Sequence, residues 1–119
     1  MKINFSTDKP IFLQLAEIIK SDIISGKFRT SEKLPSVRDF ALTYSVNPNT
    51  VQKALQILED DKLITTDRTN GKFVANNTKQ IDLQKTKLIK QEVDLFFKKL
   101  TSLGITENEI KNLVNNKGE

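Results

Sequence analysis

Leu34-Pro35-Ser36-Val37-Arg38-Asp39-Phe40-Ala41-Leu42-Thr43-Tyr44-Ser45-Val46-Asn47-Pro48-Asn49-Thr50-Val51-Gln52-Lys53-Ala54-Leu55 contains two helix starts in close succession. Pro35 forces Leu34 out of helical geometry and closes the preceding loop. Ser36 then stands as an N-cap, with Asp39 at the position where a capping box carries Glu or Gln. Val37, Phe40 and Ala41 share one face, and this helix runs to about Tyr44. After the short break Ser45-Val46, Asn47 caps a second helix and Pro48 takes its first turn. Val51, Ala54, Leu55 and Leu58 recur on one side of it. Two short helices joined by about three or four residues form a helix-turn-helix.

The flanks extend this reading. Upstream, Asp8-Lys9-Pro10 opens a helix carrying Ile11, Leu15, Ile18, Ile19 and Ile23, and Gly26 supplies a left-handed stop. Lys27 to Lys33 is irregular and polar around Phe28. Downstream, Leu63 to Thr66 and Lys72 to Ala75 read as strands, with Asn70-Gly71 between them as a hairpin signal. Asn76-Asn77-Thr78 marks a linker. From Ile81 onward Leu88, Ile89, Val93, Phe96, Phe97, Leu100 and Leu103 recur at helical spacing until Gly104. Thr106, with Glu109 three residues on, starts a short last helix through Ile110, Leu113 and Val114. The fold expected is mainly α with a small β-wing. It comprises a winged helix-turn-helix over residues 1–76, a linker at 77–80 and a two-helix dimerisation segment at 81–119.

Composition narrows the chemistry. The 119 residues include no Cys, His or Trp, which removes disulfides, thiolate and imidazole catalysis, and zinc or iron sites built on those ligands. Glu59-Asp60-Asp61 is the one acidic run, but consecutive helical carboxylates point in different directions, so a solvated helix end is the better reading than a divalent-metal site. No catalytic residue, metal or cofactor is expected. The longest apolar run is three residues, too short for a membrane span or a signal-peptide core, and the chain reads as cytoplasmic. The net charge of +4 divides evenly: residues 1–76 carry 11 basic and 9 acidic side chains, the remainder 8 and 6.

Placement of charge says more than its total. In a winged helix the second helix of the pair enters the major groove and the wing lies along the adjacent backbone. With Val51, Ala54, Leu55 and Leu58 turned inward, the other side of that helix offers Asn49, Thr50, Gln52, Lys53 and Gln56, beside the cap Asn47. These are the side-chain types that read base edges and hold phosphate. Arg38 stands beside Ser36 in the first turn of the preceding helix, where a cation opposes the helix dipole unless an outside anion is present. Its alternative is a salt bridge to Asp39 or a neighbouring acid. Arg68, Gly71 and Lys72 surround the wing tip. The partner expected is a double-stranded DNA operator, and the alternative is a protein-interaction winged helix without specific DNA binding.

The apolar stripe Leu88, Ile89, Val93, Phe96, Phe97, Leu100 and Leu103 exceeds what one short helix of the same chain can cover, so pairing with a second copy is expected. Membrane association is disfavoured, because Lys85, Lys87, Lys90, Lys98 and Lys99 come without interfacial Trp. A helix pair encloses no cavity of usual ligand size. Sensing of a small-molecule effector would act at the dimer interface or below the winged helix, and no effector is identified.

Pro10-Ile11-Phe12-Leu13-Gln14-Leu15, Leu34-Pro35-Ser36-Val37-Arg38-Asp39-Phe40-Ala41, Val46 to Leu55, Leu58-Glu59 and Gly71-Lys72-Phe73-Val74 together resemble the DNA-binding domain of GntR-type bacterial transcription regulators. The resemblance covers roughly residues 8 to 76. The Asn47-Pro48-Asn49-Thr50-Val51 start and the short tail look like the YtrA-like subfamily. The resemblance implies homodimeric repressors, often encoded with ABC transporter genes, in which Arg38, the first turn of the recognition helix and the wing glycine touch DNA. The chain departs from the family pattern at Ser31, Ser45, Lys62 and Thr69, where the family usually has Gly. It also departs at Leu55 in place of Tyr and Lys72 in place of Thr. The lost turn glycines are expected to cost stability.

Overall fold

Ser36 and Asn47 start the helices their neighbours require. In a computed structural model, which describes residues 4–116, Ser36 Oγ accepts the Asp39 N–H at 3.0 Å and Asn47 Oδ1 accepts the Asn49 N–H at 2.8 Å. Asp39 returns no bond to Ser36, so that cap is half of a capping box. The elements run α1 (Ile11–Ile24), α2 (Val37–Tyr44), α3 (Pro48–Asp60), β1 (Ile64–Asp67), β2 (Gly71–Val74), α4 (Thr78–Ser102) and α5 (Glu107–Asn115). Three of the turns joining them close through left-handed residues that are not glycine: Ser31 at φ 67°, Ser45 at 55° and Lys62 at 62°. Lys62 ends α3 in a Schellman motif. Its N–H returns to the Glu59 carbonyl at 3.0 Å, and the Leu63 N–H returns to Leu58 at 2.9 Å.

The core forms where α1 crosses α3. Leu15 and Ile19 meet Val51, Leu55 and Leu58, and Leu63, Ile64 and Val74 close it from the hairpin side, all with no more than 1% of their surface exposed. Each such side chain contributes roughly 1.5–3 kcal/mol by leaving water. Phe40 brings α2 onto this cluster, edge-on to Phe28 and stacked with Tyr44, both centroids 6.3 Å away. Burial, followed by the charge of Asp22, pushes the Tyr44 hydroxyl above its ordinary pKa.

The wing differs from its sequence reading in two respects. Ile64 pairs with Val74 and Asp67 with Gly71, so both strands sit one residue nearer the tip than expected. The connection is the three residues Arg68, Thr69 and Asn70, and Gly71, expected between the strands, is the first residue of β2. Asp67 Oδ1 accepts the N–H groups of Thr69 at 2.8 Å and Asn70 at 3.2 Å, and Gly71 follows at φ 101°. Thr69 is not left-handed, so the glycine usual at its position is not required here. The loop before α2 is also ordered by the wing. Val74 N–H donates to the Glu32 carbonyl at 2.9 Å, Leu34 N–H to Lys72 at 2.8 Å, and Lys33 forms an isolated bridge with Phe73.

Helix α4 begins at Thr78, so its first turn occupies most of the stretch 77–80 read as a linker. Asn77 caps it, its Oδ1 accepting the Gln80 N–H at 3.1 Å. Gln80 Nε2 donates to the Asp61 carbonyl at 3.0 Å, and Ile81 packs on the winged-helix core. Two compact units divide between Asp82 and Leu83, against the expected boundaries at 76 and 81, and the outer limits 1 and 119 lie outside the described residues. In the second unit Thr106 and Glu109 complete a reciprocal capping box, each bond 3.2 Å, and Ile110 is fully buried. No helix among the described residues is long and apolar enough to cross a membrane.

Candidate nucleic-acid interface

The start of α2 and the wing border one cleft, and α3 follows α2 after the short turn at residues 45–47. Ser36 Oγ is occupied as a cap, which leaves the N–H groups of Val37 and Arg38 without helical partners, as in any first turn. Arg38 is exposed and makes no ion pair among the described residues, so the alternative bridge to Asp39 does not form. An unpaired guanidinium beside free N–H groups and the positive end of a helix dipole is suited to a phosphate.

On α3, Asn49, Gln52 and Lys53 are exposed and Thr50 is half-buried. Asn47 spends its side-chain oxygen on the cap and keeps its amide nitrogen free. Gln56 is exposed as well, and its Nε2 donates to Asp60 Oδ1 at 2.9 Å. Lys53 extends its ammonium over the Phe12 ring of α1, 5.6 Å from the centroid, a cation–π contact the sequence reading does not contain.

Between the start of α2 and the wing lies an open cleft of about 500 Å³, bordered by Lys33, Ser36, Val37, Arg68, Gly71 and Lys72. Arg68 is exposed at its tip and makes no ion pair among the described residues. Gly71 is needed for its φ rather than for room, since an added Cβ would meet only Lys33 Cε, at an ordinary 3.6 Å. Lys33 is a cation of this cleft absent from the sequence reading, because nothing local to it shows that its backbone bridges Phe73. Lys72, expected as a free wing cation, is instead engaged internally. It donates to Thr66 Oγ1 at 2.8 Å and pairs with Glu59 Oε2 at 3.3 Å.

In the second unit the stripe residues divide. Leu88, Phe97 and Leu100 are half-buried, while Ile89, Val93, Phe96 and Leu103 stay 46–70% exposed. Val93, Phe96 and Phe97 of α4 and Val114 of α5 line a mostly apolar groove of about 490 Å³. Leu83, Leu95, Leu113 and Val114 are further exposed apolar side chains that the stripe did not include.

Residues 12–74 match the model of the family described as bacterial regulatory proteins, gntR family. The chain is 34% identical over 110 residues to the HTH-type transcriptional regulator YhcF of Bacillus subtilis, covering 92% of this chain and 91% of that protein. It is 33% identical over 94 residues to the HTH-type transcriptional repressor YtrA of the same organism, covering 78% and 72%. Among solved structures, a GntR family transcriptional regulator from Listeria monocytogenes superposes with a TM-score of 0.86 at 32% identity, over 93% of this chain and 97% of that one. The DNA-binding domain of AraR in complex with operator ORX1 superposes with a TM-score of 0.58 at 25% identity, over 63% and 95%.

Proposed function

The chain belongs to the GntR family of bacterial regulatory proteins and is a DNA-binding transcription regulator, and from that premise we propose that it is a homodimeric cytoplasmic repressor of a near-palindromic operator. The observation that carries the reading is the undistracted Arg38. It stands at a helix N-terminus, unpaired among the described residues, in the same helix-turn-helix whose second helix exposes Asn49, Gln52 and Lys53. A structural ion pair would have consumed it. In the proposed complex Ser36, Arg38 and the α2 N-terminus hold one phosphate, with Asn47 beside it. The first turns of α3 bring Asn49, Thr50 and Gln52 to base edges, and Lys53, Arg68 and the backbone at Gly71 meet the flanking strand.

Dimerisation through α4 and α5 supplies the second half-site. Support comes from Ile89, Val93, Phe96 and Leu103, large apolar side chains at helical spacing that are each 46–70% exposed, and an exposed apolar patch marks an interaction surface. A second copy of that face is self-complementary about a two-fold axis, and two recognition helices related by such an axis read an inverted repeat.

Selection of bound duplexes from a random pool tests the proposal. The recovered sequences are expected to share two inverted half-sites, and sedimentation of the complex is expected to give two chains per duplex. A pool without a consensus removes the specific-operator reading, and one chain per duplex removes the dimer.

A further inference from the structure

Glu59 lies in the last turn of α3 and reaches both strands of the wing. Its Oε2 accepts from Thr66 Oγ1 at 3.0 Å and pairs with Lys72 Nζ at 3.3 Å, while Lys72 donates to Thr66 Oγ1 at 2.8 Å. Thr66 and Lys72 are direct cross-strand partners, so the triangle ties the recognition helix to the hairpin at one level of its ladder. The Lys72 and Glu59 side chains are only 27% and 35% exposed. Lys72 is therefore a wing cation whose charge is cancelled from within and whose ammonium is held by two acceptors.

We propose that Glu59 withholds Lys72 from the DNA backbone and so holds down the sequence-independent share of the binding affinity. This rests on the DNA-binding reading above. Phosphate contacts add affinity for every sequence alike, because the backbone carries no base information. A wing with Arg68 free and Lys72 sequestered makes one fewer such contact than its composition allows. Moving Lys72 onto a phosphate would leave the Glu59 carboxylate facing the same backbone, balanced by Thr66 alone. Repulsion between that carboxylate and the DNA then opposes the move.

The test is the salt dependence of binding to one selected duplex and to an unrelated one. It uses the full-length chain and its variants Glu59→Gln, Lys72→Met and the double. Glu59→Gln keeps a hydrogen-bonding group for Thr66 and removes the charge. Each phosphate contact changes the slope of log affinity against log salt by about 0.9, about a 3.5-fold change in affinity between about 50 and about 200 mM salt. Glu59→Gln is expected to steepen the slope by one such step on both duplexes, changing both affinities by the same factor and leaving the ratio between them in place. Lys72→Met alone is expected to leave the slope in place, and the double variant to return to it. A slope that flattens by a full step in Lys72→Met means that Lys72 already sits on phosphate, and overturns the proposal. A steepening that persists in the double variant is a general charge effect and overturns it too, as does an unchanged slope in Glu59→Gln. Absence of salt-dependent binding by the unmodified chain is a separate result, which removes the DNA-binding reading itself before any variant is compared. Thermal melting of each variant accompanies the titrations, and a wing that merely loosens lowers the melting temperature without steepening the slope.

Discussion

Replacing Ser31, Ser45 and Lys62 together by glycine is expected to stabilise the winged helix. The three residues hold φ values of 67°, 55° and 62°, in the left-handed region where a Cβ crowds the following carbonyl. That conformation costs a side-chain-bearing residue roughly 1–2 kcal/mol, whereas the additional chain entropy of glycine costs roughly 0.5–1 kcal/mol. The difference favours glycine by about 0.5–1 kcal/mol at each position. None of the three side chains makes a hydrogen bond or ion pair among the described residues, so no contact is removed with it. The turns share no hydrogen-bond partner, and the gains are expected to add to about 1.5–3 kcal/mol. For a chain of this size that corresponds to a rise of roughly 5–15 °C in melting temperature, measured by circular dichroism at fixed protein concentration. Thr69→Gly is the internal control. Thr69 also stands where the family usually has glycine, yet it is not left-handed, so glycine there is expected to be neutral or to lower the melting temperature. A triple variant no more stable than the parent, or a Thr69→Gly gain equal to that of Ser45→Gly, would refute the reasoning.

Three further outcomes are expected. Arg38→Ala should flatten the salt slope of operator binding by about 0.9, while Asn49→Ala should change which bases are tolerated at a cost of about 1–3 kcal/mol on the preferred site. Equal losses on every sequence from both variants would contradict the division of roles. Phe96→Asp places a charge in the exposed apolar face of α4 and should give monomers by sedimentation, with the first unit still folded; an unchanged mass would show that α4 is not the interface. Asp67 is held below the ordinary carboxylate pKa, first by the Thr69 N–H, then by the Asn70 N–H and the Asn70 side chain. A carboxylate depressed in the folded state stabilises it above its unfolded value of about 3.9, and that contribution is lost as pH falls through the lower folded value. In an NMR titration the Thr69 and Asn70 amide resonances should follow a midpoint below about 3.9, and a midpoint at or above it would mean the loop bonds are not made in solution.

What the sequence disclosed and what it withheld divide by range. Ser36, Asn47 and Thr106 announce their helices because an N-cap acts two or three residues away, and all three side chains accept the bonds their positions require. The apolar face of α3 follows from helical spacing, and its four residues are the buried ones. On α1 Leu15, Ile19 and Ile23 are buried, with Ala16 beside them, while Ile11 is exposed and Ile18 half-buried. Asn77 carried the same kind of local signal, with Gln80 at the third position, but its neighbours Asn76 and Thr78 read as a loop; α4 therefore starts before the expected Ile81. Both strands of the wing lie one residue nearer the tip than expected, because Thr65, Thr66 and Asp67 are all exposed and mark no boundary. The pairing of Ile64 to Val74 and Thr66 to Lys72 is the same in either placement.

The candidate interface shows the same division in its charges. Composition counts Lys72, Arg68, Lys53 and Lys33 alike, and the winged-helix pattern assigns the first three to DNA by position. The structure distinguishes them through partners distant in the chain. Glu59 reaches Lys72 across a helix C-terminus and a strand, Phe12 meets Lys53 from another helix, and Phe73 fixes the Lys33 backbone from the far strand. Arg38 and Arg68 are exposed and make no ion pair among the described residues, although the exposed Asp39 and Asp67 adjoin them in the sequence. A cation's availability to a phosphate is set by what the fold has already placed beside it. Position and structure agree in leaving Arg38 and Arg68 unpaired, whereas the partners Lys72 acquires at Glu59 and Thr66 are not visible from its position in the chain.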